Sequence, residues 1–176
     1  WRRHKQHDRA ISSSLVADIV AASPDHVALT GDLLNLSAYA EFPRAAHWLQ
    51  SFGDPAWISY VPGNHDAYVP VPWKHGLAHL APYMTGDMAA PGSQASFPYV
   101  RLRRNLALIG LNSGVPQSLT RAAGALGPKQ LEALPGILHD LKAKGYYRAV
   151  MIHHPPLPGL APPRKALRDA AQLRDI

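Results

Sequence analysis

The sequence predicts an α/β protein, and two observations carry that expectation. Stretches with apolar residues at helical spacing alternate with short apolar runs of strand length. Three of those runs end in turns rich in metal-ligand side chains: Gly31-Asp32, Gly63-Asn64-His65-Asp66 and His153-His154-Pro155-Pro156. Open α/β sheets bind ligands at the carboxyl ends of their strands, so the polar blocks stand where such a fold places a site.

The elements follow in order. Residues 10–22 set Ile11, Leu15, Ile19 and Val20 at helical spacing, and Ser23-Pro24-Asp25 ends this amphipathic helix. Val27 to Thr30 is an apolar run suited to a buried strand, with Gly31-Asp32 at its end. Residues 41–52 read as a helix, with Pro43 tolerated in the first turn. Trp57 to Val61 is the next strand, and Pro62-Gly63 turns it into Asn64-His65-Asp66. Residues 67–97, with Pro70, Pro72, Pro82 and Pro91, show little periodicity. They are expected to form an irregular loop placed to cover a substrate. Residues 98–103 and 106–111 alternate around Arg103-Arg104-Asn105 and predict a hairpin, after which Asn112-Ser113-Gly114 breaks away. Pro128 opens a helix with Leu131, Leu134, Leu138 and Leu141 on one face, and Pro135 is expected to kink or split it. Arg148 to Ile152 is a strand delivering His153, Pro155 to Pro163 is a Pro-rich loop, and residues 165–175 predict a final helix. There is no internal repeat.

A length of 176 residues suits one domain, residues 1–176, with a sizeable core. No apolar run approaches the ~20 residues of a membrane span. The chain starts at Trp1 without a charged-then-apolar signal segment, a start that leaves a removed leader open. The absence of cysteine excludes disulfides and thiolate metal sites and fits a cytoplasmic location. A net charge of +6 fits an anionic substrate or an acidic surface, or simply solubility, since the charges are dispersed. Aromatic and basic residues are not interleaved, so no nucleic-acid partner is expected.

Phosphate ester hydrolysis requires water to lose a proton near neutral pH and charge on the phosphoryl oxygens to be stabilised. Two metal ions about 3.5–4 Å apart do both. Asp32 is a candidate carboxylate bridge, Asn64 offers a neutral carbonyl oxygen and His153 an imidazole nitrogen. Such N/O donors suit Mn, Fe, Zn, Co or Ni without choosing among them. Asn64 follows Asp32 by 32 residues and His153 follows Asn64 by 89, so only the fold can gather them. Each block also has a plain reading: Asp32 as a turn cap, Asn64 as a turn residue, His153 as a satisfied core histidine. Their joint occurrence favours ligation. For other residues the plain reading is preferred. His154 is taken as structural, Asn112 as a turn residue, and His75 and His79 as exposed loop residues despite their i, i+4 spacing. His26, His47 and His139 are taken as surface or core-edge residues, and Arg101, Arg103 and Arg104 as a solvated hairpin rather than a phosphate clamp.

The three blocks, in this order, resemble those of the calcineurin-like metallophosphoesterases over roughly residues 15–176. Leu33-Leu34-Asn35 after Gly-Asp and the later His-His-Pro-Pro are similar to the bacterial cyclic-nucleotide phosphodiesterase-like branch. The resemblance implies a sandwich of two mixed β-sheets packed face to face and flanked by helices. It implies hydrolysis of a small-molecule phosphomono- or phosphodiester by attack of a metal-bound hydroxide, with two divalent transition metals. Asp32 corresponds to the bridging ligand, Asn64 and His153 to further metal ligands. His65 corresponds to the histidine that contacts the phosphate and protonates the leaving group, with Asp66 orienting it. The family also has an Asp-x-His block before these and a Gly-His-x-His block after them, and these 176 residues contain neither. His4, His7 and Asp8 do not restore the first. The chain is expected to be the middle of such an enzyme, incomplete at both ends, with weak or absent activity by itself. The alternatives are a non-catalytic scaffold of the same fold that binds a protein partner, and a pyrophosphohydrolase of a nucleotide-linked lipid.

Overall fold

A computed structural model describes residues 9–90, 95–118 and 120–176. His4, His7, Asp8 and Pro91 lie outside the described residues. The chain is mixed α/β, with two small sheets and helices. Its strands are β1 (Val27–Leu29), β2 (Ile58–Tyr60), β3 (Tyr99–Arg103), β4 (Leu106–Gly110) and β5 (Tyr147–Met151). Its α-helices are α1 (Arg9–Ala22), α2 (Glu41–Phe52), α3 (Pro128–Ala143) and α4 (Ala170–Arg174). β1 and β2 form a parallel pair, Val27 opposite Ile58. In the second sheet, ordered β3-β4-β5, β3 runs antiparallel to β4 and β4 parallel to β5. No sheet closes into a barrel among the described residues.

The β3–β4 hairpin turns at Arg104, whose φ of 54° is the left-handed conformation a two-residue turn needs. Side chains then alternate across the sheet. Tyr99, Leu108 and Met151 join Val27, Ile58, Tyr60, Phe42 and Leu49 in one core cluster. Ala107 and Ile109 face the other way, into a second cluster with Leu134 and Leu141 of α3 and Leu167. The three-stranded sheet is therefore covered on both faces, by β1, β2 and α2 on one side and by α3 on the other. Because β1, β2 and β5 run parallel to strands within their own sheets, their carboxyl ends carry the three polar blocks.

One polar side chain ties this first core together. Arg101 is 3% exposed, and its guanidinium donates to the carbonyls of Thr85, Ile58, Pro82 and Pro55. It pins β3 to β2 and to the segment after the second polar block. The expectation of a solvated arginine cluster therefore fails for Arg101. The guanidinium offers five N–H donors in a rigid fork, and here they serve carbonyls the sheets leave unpaired. Arg103 bonds His26 Nδ1, Ala56 O and Asp87, and only Arg104 is strongly exposed.

Four sequence expectations are corrected. Residues 67–97 are not a loose cover: 3₁₀ turns at Trp73–His75 and Leu77–Met84 put Leu80, Tyr83 and Met84 into the core. Prolines there suppress α-helical periodicity while permitting 3₁₀ turns. The helix α3 runs unbroken through Pro135, which lies on its exposed side, where water can serve the carbonyl the proline leaves unpaired. The final helix starts at Ala170 rather than at residue 165, because the residues before it hydrogen-bond to the chain around Gly124. In α1, Val16 and Ile19 meet the core while Ile11, Leu15 and Val20 are 69%, 59% and 50% exposed.

Two predictions follow from the buried polar contacts. Arg101→Met leaves four carbonyls without their donor and should cost about 3 kcal/mol or more, measured by urea unfolding. Unchanged stability would contradict the assigned role. Second, the His26 imidazole is pushed down to about 4 by burial, then by Arg103 and Arg101, with Asp87 opposing. Its folded pKa is thus depressed, and the unfolded chain binds the extra proton between the ordinary value of 6.5 and about 4. Stability should fall as pH drops through that window. His26→Gln, which keeps a donor and an acceptor, should flatten this slope in thermal melts; parallel slopes would refute the assignment.

Candidate metal centre

The site begins with two loops whose backbones nearly touch. Gly31 and Asp32 follow β1 with φ of 99° and 62°, both left-handed. A Cβ on Gly31 would lie 2.7 Å from Gly63 Cα and 2.7 Å from His153 Nδ1, and one on Gly63 would lie 2.8 Å from His153 Cε1. Both positions must be glycine for the chain to pack so closely. Asp66 fastens the loops. Its carboxylate, 1% exposed, accepts N–H bonds from Asp32 (2.6 Å), Gly63 (2.7 Å) and Leu34 (2.9 Å). Burial pushes the Asp66 carboxyl up from the ordinary range, while Tyr60 and the N–H groups of Gly63, Leu34 and Asp32 pull against it. The Tyr60 hydroxyl is buried beside this clamp and makes no hydrogen bond of regular geometry. A second strap is Ser37, which donates to His65 O and accepts from Tyr68 N. Glu41 at the start of α2 accepts from Asn35, Leu36 and Ala38 N–H and shapes the loop between them.

On this frame three expected ligands converge. His153 Nε2 lies 3.2 Å from Asn64 Oδ1 and 3.6 Å from Asp32 Oδ1. His153 Nδ1 lies 2.6 Å from the Thr30 carbonyl, so that nitrogen carries the proton and donates it. In the neutral ring Nε2 then presents a lone pair toward two oxygen acceptors. Such a cluster is satisfied by a second proton on His153, by the Asn64 amide turned to donate its N–H, or by a cation held among the three atoms. A ligating imidazole whose other nitrogen donates to a carbonyl is the arrangement metal sites use. The three donors therefore fit one divalent ion.

Among the described residues, no group of three or more His, Cys, Asp or Glu side chains gathers to hold a metal; in the cluster here Asn64 supplies the third donor.

The remaining candidates separate. His65 N–H donates to Asp32 Oδ1 (3.0 Å), and His65 Nδ1 bonds the Asn35 carbonyl at 2.6 Å. Its Nε2 is thereby left available where the ring lines the cleft. The expectation that Asp66 orients the His65 ring gives way to Asn35, because all the hydrogen bonds of the Asp66 carboxylate go to backbone N–H groups. His154 is 3% exposed, with Nδ1 on Ser113 Oγ (2.7 Å) and Nε2 on Ala122 O (3.0 Å). Both its nitrogens are used within the protein, so it does not ligate. Asn112 Oδ1 accepts from Gly114 N–H in a local turn. His75 meets the edge of Tyr39.

Asp32, Asn64, His65 and His153 line a cleft of about 470 Å³ that Arg121, Arg164 and Lys165 also line. Sequence reasoning passed over these three cations, whose only signal was the Arg164-Lys165 pair in a Pro-rich stretch. It also missed the Thr30 and Asn35 carbonyls, which no side-chain pattern reveals. No helix among the described residues is long and apolar enough to cross a membrane. No protein-family model matches the chain, and no curated protein matches it.

The close approach of the loops predicts the effect of a single methyl group. Gly63→Ala should destabilise by about 1–3 kcal/mol through overpacking. Gly136→Ala on α3, where a Cβ meets nothing within 4 Å, should be neutral or stabilising. Equal melting temperatures for the two variants would show that the loops do not approach as described.

Proposed function

We propose that this chain is a metal-dependent phosphoesterase domain with the sandwich of the calcineurin-like metallophosphoesterases. The observation that carries the reading is the convergence of Asp32 Oδ1, Asn64 Oδ1 and His153 Nε2 on one point. A core cluster shared by residues of both sheets supports the fold assignment. A bound divalent ion supplies positive charge that acidifies water and draws electron density from phosphoryl oxygens.

The residues then have separate tasks. Asp32, Asn64 and His153 bind the ion, and Thr30 fixes the His153 tautomer. His65, held through Nδ1 by Asn35, takes up and hands on a proton at Nε2, and protonated there it donates to the leaving oxygen. Asp66 keeps the two loops in register. One ion is what the described residues support; a second, as the family resemblance implies, would share Asp32 and draw on ligands other than these. The alternative is a non-catalytic scaffold of the same fold that binds a protein partner.

Elemental analysis and thermal shift with Mn, Zn or Ni separate the readings. The wild-type chain is expected to bind about one ion, melt higher with it and hydrolyse p-nitrophenyl phosphate or bis(p-nitrophenyl) phosphate slowly. Asp32→Ala and His153→Ala should lose the metal-induced shift. His65→Ala should keep the shift and lose roughly 10²-fold or more in kcat. Metal binding without hydrolysis of any phosphoester, by this chain or by any longer chain that contains it, would leave the scaffold reading.

A further inference from the structure

The basic part of the cleft is a built feature. The segments 120–127 and 162–169 are joined through their backbones: Ala122 N–H donates to Arg164 O (2.8 Å), Gly124 N–H to Ala166 O (3.1 Å) and Arg168 N–H to Gly124 O (3.0 Å). Gly124 and Leu167 form an isolated parallel bridge. Ala123, Leu126 and Leu167 are buried beneath it. Asp169 accepts from Leu126 and Gly127 N–H, which occupies the nearest carboxylate in sequence. His154 anchors the pair to the end of β5 through Ala122 O. The result sets Arg121 and Arg164 on either side of one backbone hydrogen bond, with Lys165 next in the chain.

All three side chains are exposed and line the same cleft as Asp32, Asn64, His65 and His153. Among the described residues, none of the three makes a side-chain hydrogen bond or ion pair. Three like charges lining one cleft, none of them in an ion pair among the described residues, repel one another, and an anion among them relieves that repulsion. On the phosphoesterase reading, Asp32, Asn64 and His153 would serve the ion and the ester phosphoryl group. The three cations line the same cleft from other segments than those that carry Asp32, Asn64 and His153, so they are available to a further anionic group. Guanidinium forks match phosphate in two-point contact.

Resting on the phosphoesterase reading, we propose that the cleft takes a phosphoester carrying a second phosphate group. The ester phosphorus sits against Asp32, Asn64 and His153, and the second phosphate is held by Arg121, Arg164 and Lys165. These three residues set specificity and take no part in bond breaking.

Calorimetric titration in EDTA with 1,3-propanediol bisphosphate reads this subsite without hydrolysis. The wild-type chain is expected to bind it, and the triple variant Arg121→Gln, Arg164→Gln, Lys165→Gln to bind it about tenfold or more weakly. A variant losing the same charge elsewhere, Arg44→Gln, Lys129→Gln, Lys142→Gln, is expected to bind like wild type. Circular dichroism and melting confirm that both variants fold. Absence of binding, equal loss in both variants, or no loss in the first overturns the proposal. In manganese, hydrolysis of the bisphosphate and of propyl phosphate separates the two ideas. Charge-specific binding with no phosphoester hydrolysis removes the phosphoesterase reading and leaves the anion subsite. Hydrolysis without charge-specific binding removes the subsite and leaves the phosphoesterase.

Discussion

The constraint on which the site depends is the Asp66 carboxylate bonded to the backbone of two strand-end loops at once. It draws Asp32 N–H and Gly63 N–H to a single oxygen. That convergence is possible only because Gly31 and Gly63 carry no Cβ. With the loops so held, Asp32 and Asn64 lie on neighbouring turns and His65 N–H reaches Asp32 Oδ1. His153 then arrives from the other sheet and is fixed by Thr30, the residue just before Gly31. The order of dependence runs from the glycines, to the clamp, to the donors.

Buried polar groups perform the same service elsewhere, and nearly all are saturated. Arg101 spends its donors on carbonyls of β2 and of the segment that follows the site, and Tyr99 donates to Tyr60 O across the two sheets. Burial pushes the Tyr99 hydroxyl up to about 12, so it remains a donor at neutral pH. Breaking one partner of such a network costs more than the pair contributes, because the survivor stays buried and unpaired. These contacts therefore fix the relative position of the two sheets more sharply than apolar packing alone. That position sets the distance from His153 to Asp32.

Most strands and helices were legible because each obeys a local period: β3 and β4 alternate, α3 repeats its leucines, and Pro-Gly punctuates the end of β2. The donors Asp32, Asn64 and His153 were legible as short blocks at strand ends, and the structure gathers them. What was not legible depends on contacts between distant residues. Nothing local distinguishes Arg101, buried among carbonyls, from Arg104, exposed beside Asp25. The apolar spacing of α1 was real, yet only Val16 and Ile19 find the core. The helix expected from residue 165 was shortened by pairing with Gly124, a contact more than forty residues away in the chain. Backbone carbonyls such as Thr30 O and Asn35 O carry no side-chain signature at all.

Adjacent histidines show how the same side chain is given two tasks by its second nitrogen. His153 and His154 meet edge to face, with ring centroids 5.0 Å apart. In His153 one nitrogen is fixed by a carbonyl and the other faces the side-chain oxygens of Asn64 and Asp32. In His154 both nitrogens are satisfied, burial pushes the ring's pKa down, and the group serves as a neutral strut. That strut carries the Ala122 segment, and with it Arg121 and Arg164, to a fixed place beside the acceptor cluster. The same cleft is thus lined by a group of acceptors and by three cations. On the proposed reading, a ligand bearing both a metal-bound phosphate and a further negative group would match both sets of groups, whereas a neutral-tailed phosphoester would leave the cations unmatched.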